Sequence, residues 1–317
     1  MTTFANRWLQ SEPKAKDFLN KVFSSPFADT TIRPLTIAHL CAIYERIQDI
    51  PEKPKSVYRR IVQLLLEDWD SQRNIKRPSS YAKFDHDRKF EFLAHLAYFL
   101  TTDLKQLRFS TDSLKAAYRS IHADHGLPVA EAVRVVEELE SHSGLILESG
   151  RGHYEFAHKS IQEYLAADYL IRLPNLNLAE EHLSLLPNEL AIATSLSSKP
   201  AAFLVELFLR VVDVERESTP WLAAYMSRLV LEKPELNIGA SEYSAIAAMY
   251  LLSRLEEADP ASGLLRAAIP AGIGIQIRRH YSVAERTRET TFFRRTANSH
   301  IYKLPTSFRV SSALLEK

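Results

Sequence analysis

The chain has 317 residues, 46% hydrophobic and 10% aromatic, which is enough apolar material for two or three small cores and too much for a disordered chain. Lys and Arg number 40 against 39 Asp and Glu, so the molecule as a whole has no charge excess with which to hold nucleic acid or an anionic membrane. A single cysteine, Cys41, excludes an internal disulfide and a cysteine-built zinc site, and eight glycines leave little room for phosphate loops or tight β-turns.

A mainly α architecture follows. Residues 1–24 predict one or two short helices, with Phe4, Trp8 and Leu9 and then Phe18, Leu19, Val22 and Phe23 as apolar faces, closed by Ser25 and Pro26. Pro34 suits the first turn of a helix carrying Leu35, Ala38, Cys41, Ala42 and Ile43, and residues 48–55 read as a loop. From Ser56, the spacing of Tyr58, Ile61, Val62, Leu65, Leu66 and Trp69 predicts an amphipathic helix ending near Arg73. Residues 1–80 are therefore expected to form a helical subdomain.

Residues 81–173 follow a different rhythm. An almost wholly apolar helix (Phe90, Phe92, Leu93, Leu96, Tyr98, Phe99, Leu100) precedes one with Leu114, Ala117, Tyr118 and Ile121, and a third with Val129, Val133, Val136 and Leu139, ended by Ser143 and Gly144. Residues 145–147, a Gly150-Arg151-Gly152 turn and residues 154–156 predict a β-hairpin, and three helices with a hairpin spell a winged helix. Its third helix carries Glu131, Glu137, Glu138 and Glu140 against Arg134, a surface that repels phosphates, so a packing role fits better than DNA recognition.

Beyond Pro174, helices are expected over residues 178–186, 189–196, 201–214, 221–231 and 241–255, joined at prolines, with Thr219 and Pro220 as an N-cap and first-turn pair. They form an array or bundle spanning 174–317, whose tail, 278–317, is basic and interleaved with aromatics. That tail reads either as a packed terminal element or as a nucleic-acid surface. The N-terminus has no apolar signal core, and the run 269–277 is too short for a bilayer, so the sequence reads as soluble and cytoplasmic, with no membrane partner.

The richest stretch is GHYEFAHKSIQEYLAADYL, residues 152–170. Tyr154, Phe156 and His158 share one strand parity, and Ser160 with Glu163 is a capping-box pattern that starts a helix at Ser160. His158 then stands just outside a helix N-terminus, a position favourable to an anion; the bland alternative is an imidazole hydrogen-bonded at a buried corner. Elsewhere, His95 reads as a core histidine, and His122 with His125 as a solvated helix end rather than part of a zinc site; no catalytic or metal constellation stands out.

Two stretches together give the chain a family likeness. RPLTIAHLCAIYERIQDIPEKPKSVYRRIVQLLLEDWDSQR resembles the proline helix, proline loop and tyrosine helix of NACHT-type (STAND) signalling NTPases, the group that includes animal NOD-like receptors and bacterial antiphage NACHT proteins. YEFAHKSIQEYLAADYL is similar to the signature closing that family's winged helix. The resemblance covers residues from about 4 to 172 and implies a C-terminal part of such a protein, bacterial and defensive in role. It implies that His158 donates to a terminal phosphate of bound ADP and that Pro34 packs near adenine, although Arg33 differs from the uncharged residue often found there. No G-x-x-x-x-G-K-[ST] loop occurs in the sequence, and no strand ending in paired acidic residues precedes Phe4. The chain is therefore expected not to hydrolyse ATP alone, and to be a fragment, a truncated frame or a subunit completed by an upstream NTPase half.

The expected function is a nucleotide-sensing regulatory segment of a NACHT ATPase. ADP or ATP would be held through the NTPase half, the partners being that half or same-family protomers, with a protein trigger on the C-terminal helices. Two alternatives stand beside it: a helical protein-interaction scaffold that uses no nucleotide, and a winged-helix DNA-binding regulator.

Overall fold

The computed structural model describes residues 1–25, 34–71, 79–105, 107–142, 144–173, 185–200, 203–204, 207 and 219–234, and the backbone of 291–294 and 301–303. The chain divides into two compact units, Met1–Asn177 and Leu178–Lys317. It is mainly α, as composition requires.

The first unit begins with α1 (Thr2–Leu9), α2 (Glu12–Phe23) and α3 (Pro34–Ile47), then α4 (Pro54–Ser71). Phe18, Val22, Leu40, Cys41, Val57 and Val62 are almost wholly removed from water, and the Phe18 and Tyr44 rings meet edge to face at 5.5 Å. Polar ties fasten the outside of this core: Trp8 Nε1 donates to Glu45 at 3.0 Å, and the Tyr44 hydroxyl donates to Asp17 at 2.6 Å. Pro34 starts α3, where its missing N–H costs nothing.

The winged helix follows. Its first helix, α5 (His86–Thr102), is capped by Asp85, whose carboxylate accepts from the Arg88 N–H at 2.8 Å. Strand β1 (Phe109–Ser110) leads directly into α6 (Thr111–Ile121), capped by Ser110. Helix α7 (Ala132–His142) then runs to the hairpin of β2 (Ile146–Gly150) and β3 (His153–Phe156). The sheet order is β1-β3-β2, antiparallel throughout, with Phe109 opposite Tyr154 and Ile146 opposite Phe156. Gly152 sits at φ +70 in the hairpin turn, a conformation that a side chain would strain. Two residues of β1 are too short for a periodic signal, so this third strand is not readable from the sequence.

Helix α7 differs from expectation in register. Ala132, Val135, Val136 and Leu139 are buried, whereas Val129 and Val133 are about half exposed. The cause is a 3-10 turn over Val129–Glu131, which changes the angular step just before the α-helix begins, so a single 3.6-residue template carried across the joint picks the wrong face. Nor are the acidic residues of α7 and the turn before it simply a solvated face. Glu131 accepts from the Ser80 N–H at 2.7 Å and from its hydroxyl at 3.1 Å, and buried Glu138 accepts from the Ser79 hydroxyl. The helix thus pins the segment that enters the winged helix.

Closing the unit, α8 (Lys159–Arg172) packs along α5 more extensively than any other helix pair in this unit, and also against α4. Ala166 and Ala167 on one side and Ala94 and Ala97 on the other are fully buried, and small side chains of this kind let two helices approach closely. Gln162 crosses the contact to donate to Thr101 at 3.0 Å.

In the second unit, α9 (Pro187–Leu196) and α10 (Thr219–Glu232) match two of the expected helices and pack together. The buried Thr194 and Tyr225 hydroxyls are 2.7 Å apart, and Arg228 holds fully buried Glu232 at 2.9 Å. Residues 203–204 and 207 are helical within the expected 201–214 segment, while the segments 178–184 and 241–255 and the Thr219–Pro220 cap lie outside the described residues and side chains. Within the basic tail, β4 (Thr291–Arg294) and β5 (Ile301–Lys303) pair antiparallel, a strand pair that the expected helical array did not include. The tail's side chains, and with them its nucleic-acid reading, lie outside what is described.

Among the described residues no helix is long and apolar enough to cross a membrane. The register of α7 has a direct test in urea unfolding followed by circular dichroism. Val136→Ala should lower stability by roughly 2 kcal/mol through the cavity it leaves, while Val133→Ala should change it by less than about 0.5 kcal/mol.

Candidate functional site

His158 is where the sequence signals converge, and it occupies a different helical position from the one expected. The helix starts at Lys159, not Ser160, and the N-cap is His158 itself, with extended backbone (φ −149, ψ 139). Its Nδ1 accepts from the Ser160 N–H at 3.1 Å. The capping-box reading of Ser160 fails because Glu163, its intended partner, is buried one turn further along and takes Lys159 at 3.3 Å instead. An imidazole can replace the usual Ser, Thr, Asp or Asn because its unprotonated nitrogen is an acceptor within reach of the first-turn N–H groups.

That cap fixes the chemistry of the ring. Since Nδ1 accepts, the neutral imidazole carries its proton on Nε2, the nitrogen on the other side of the ring. The position therefore combines a helix N-terminus, with its partial positive charge, and a directed N–H donor.

Two elements reach it, α4 and α3. Tyr58 of α4, 93% buried by its 7% exposure, lies near-parallel to the imidazole, with centroids 6.4 Å apart and planes 21° apart. Tyr58 also faces Tyr164 of α8 at 6.4 Å, and Tyr164 meets Phe90 of α5 edge to face at 6.3 Å. From α3, buried His39 feels the field of His158. Burial first, and that field second, hold the His39 imidazole down to about 4. His39 was missed in the sequence, yet a signal existed: it stands four residues before buried Ile43 and so shares its face of α3.

The two stretches that carry the family likeness thus meet in space, because Tyr58 and His39 come from the first and His158 from the second. Pro34 heads the same helix as His39, with its side chain outside what is described, as is Arg33. The histidines at 95, 122 and 125 have structural partners. His95 is buried and its Nδ1 lies 3.1 Å from His125 Nε2, as expected of a core histidine. His122 and His125 are not a solvated helix end: they form a 3-10 turn in which His122 Nδ1 lies 2.6 Å from the Leu127 carbonyl. Among the described residues no group of three or more His, Cys, Asp or Glu could hold a metal ion.

The order helix, strand, helix, helix and two-stranded wing, with β1 completing the sheet, defines a winged helix-turn-helix domain. Residues 55–170 match the family described as the winged helix-turn-helix domain C-terminal to NACHT, so this segment is similar to the winged helix that follows a NACHT module. Helix α3, with Pro34 and His39, lies before the matched residues. No curated protein and no solved structure matches the chain significantly.

Two outcomes follow from this geometry. His158→Ala should cost about 1 kcal/mol by removing the cap, and His158→Asn should restore most of it, read as urea midpoint and as hydrogen exchange in the first turn of α8. An imidazole at position 39 should stay neutral from pH 8 to pH 5 in its NMR titration. Because the unfolded imidazole protonates near 6.5 and the folded one near 4, the stability it gives is full above 6.5 and is lost as the pH falls toward 4.

Proposed function

We propose that the chain is the nucleotide-sensing regulatory part of a NACHT signal-transduction ATPase. In this reading residues 1–80 form the helical subdomain, 81–173 the winged helix and 174–317 a C-terminal helical domain, and the protein acts in bacterial antiphage defence. ADP or ATP is held mainly by an NTPase half supplied upstream or as a separate protein, and the chain alone does not hydrolyse ATP.

The observation that carries the reading is the corner at His158. A bound ADP supplies a terminal phosphate, that is, a compact anion with several acceptor oxygens. The residues present suit such a group: His158 has Nδ1 committed to the Ser160 N–H, which orients Nε2–H as a donor, and the N-terminus of α8 adds its dipole. Tyr58 lies near-parallel to the ring, with centroids 6.4 Å apart. Because α8 is packed along α5, a tie made at His158 is a tie to the whole winged helix, and its loss frees that domain as a body. Pro34, at the head of α3, is placed near adenine by family likeness. The acidic α7 and the turn before it, whose Glu138 and Glu131 are engaged with the 79–80 segment, speak against phosphate backbones of DNA as the ligand.

Joined to an upstream phosphate-loop half, the chain should purify with ADP, released on denaturation and measured by chromatography. His158→Asn, which can still cap α8 but is too short to keep the Nε2 contact, should weaken ADP retention roughly tenfold or more and raise basal signalling. Unchanged ADP release and signalling in that variant, with the fold intact, would remove His158 from the site.

A further inference from the structure

A second histidine cluster lies at the far end of α8, away from His158. His95 of α5 stacks on Tyr169 of α8, with centroids 4.2 Å apart and planes 12° apart, and its Nδ1 lies 3.1 Å from His125 Nε2 on the turn between α6 and α7. His125 in turn meets Phe92 edge to face at 5.2 Å, and its carbonyl accepts from Arg88 at 3.0 Å. Two imidazoles therefore join three parts of the winged helix: α5, the turn and α8. We propose that His95 and His125 form an acid-opened latch in which His95, bonded to the turn through His125, is held stacked on Tyr169 of α8.

The physics rests on which groups face the pair. A hydrogen bond between two neutral imidazoles needs one donor and one acceptor nitrogen, and a doubly protonated pair has two donors pointed at each other. On α5, Glu91 and Asp103 are the nearby acids and Arg88 the nearby cation; on the turn, Asp124 lies 4.0 Å from His95 Nδ1; on α8 the facing group is the Tyr169 ring with its phenol. The acids favour a charged pair, whereas burial, the facing imidazole and Arg88 oppose it. Burial prevails because Asp124, the closest acid, is 69% exposed and screened by water, while the side chain of His95 is only 11% exposed. Burial, and then the neighbouring His125, bring His95 down to about 4, and burial also lowers His125.

Opened, a His95 imidazole protonates near its ordinary 6.5, and closed it does so near 4, so the closed form keeps its full advantage above 6.5 and loses it as the pH falls toward 4. From His95 alone, closure at pH 5 is roughly twentyfold less favourable than at pH 7. Since His158 caps α8, acid opening would also disturb the nucleotide corner; that consequence rests on the proposed function, but the latch does not.

Hydrogen exchange of the full chain tests it, corrected for intrinsic rates and compared between peptides of α8 and of α6. On going from pH 7 to pH 5, α8 should lose roughly tenfold or more of its protection, α6 should lose less, and His95→Gln should flatten the change to within about twofold. An equal pH response in wild type and His95→Gln, or loss in α6 ahead of α8, would overturn the proposal. Should His95→Gln fail to fold, the wild-type imidazole decides: an NMR titration midpoint for His95 below pH 5 supports the latch, and a midpoint near 6.5 overturns it. ADP retention is not part of this readout, so failure of the nucleotide assignment leaves it unaffected.

Discussion

The contact between α5 and α8 is the constraint on which the first unit depends. Helix α5 is buried over most of its circumference, and α8 buries Ile161, Tyr164, Leu165, Ala166, Ala167 and Leu170. Such faces are stable only when they cover each other, and close-packed interiors resist sliding because each displacement leaves voids or overlaps. The pairing therefore fixes α8 in rotation and in translation. Everything informative at the two ends of that helix follows: His158 and its tyrosine neighbour at one end, the stacked His95 and Tyr169 at the other.

His158 shows how a structural role and a ligand role can coexist in one side chain. An imidazole offers two nitrogens with opposite duties when neutral, and the Ser160 N–H determines which is which. A capping Asp would satisfy the helix equally well but carries no N–H donor. The choice of histidine at this cap thus makes physical sense if something acidic is recognised there, and Tyr58 lies near-parallel to the ring. His39, held neutral by burial, adds no competing charge at the same corner.

Much of this was legible in the sequence, for identifiable reasons. Helices α5 and α6 announce themselves because their buried residues recur at helical spacing, and the wing does so because alternating residues flank a glycine turn. What escaped had no local signature. Strand β1 is two residues long and exists only because β3 offers it an edge. The burial of Val135 in place of Val133 depends on a 3-10 turn that periodicity does not reveal. Glu131 and Glu138 looked like a solvated acidic face because their partners, Ser79 and Ser80, are more than fifty positions away. His122 and His125 looked solvated for the same reason, their partners being a carbonyl and His95. At the candidate site the histidine and its helix terminus were readable, whereas the exact cap and the approach of His39 were not, since both are settled by tertiary packing.

The central claim is that His158 touches the terminal phosphate of a bound nucleoside diphosphate. Its most direct test is the nitrogen NMR signal of the His158 side chain in the chain joined to an NTPase half. If Nε2–H donates to that phosphate, adding ADP shifts the Nε2 resonance while Nδ1, held by Ser160, stays in place, and AMP, which lacks the second phosphate, leaves Nε2 unmoved. A resonance that ignores ADP, or that responds equally to AMP, would contradict the assignment.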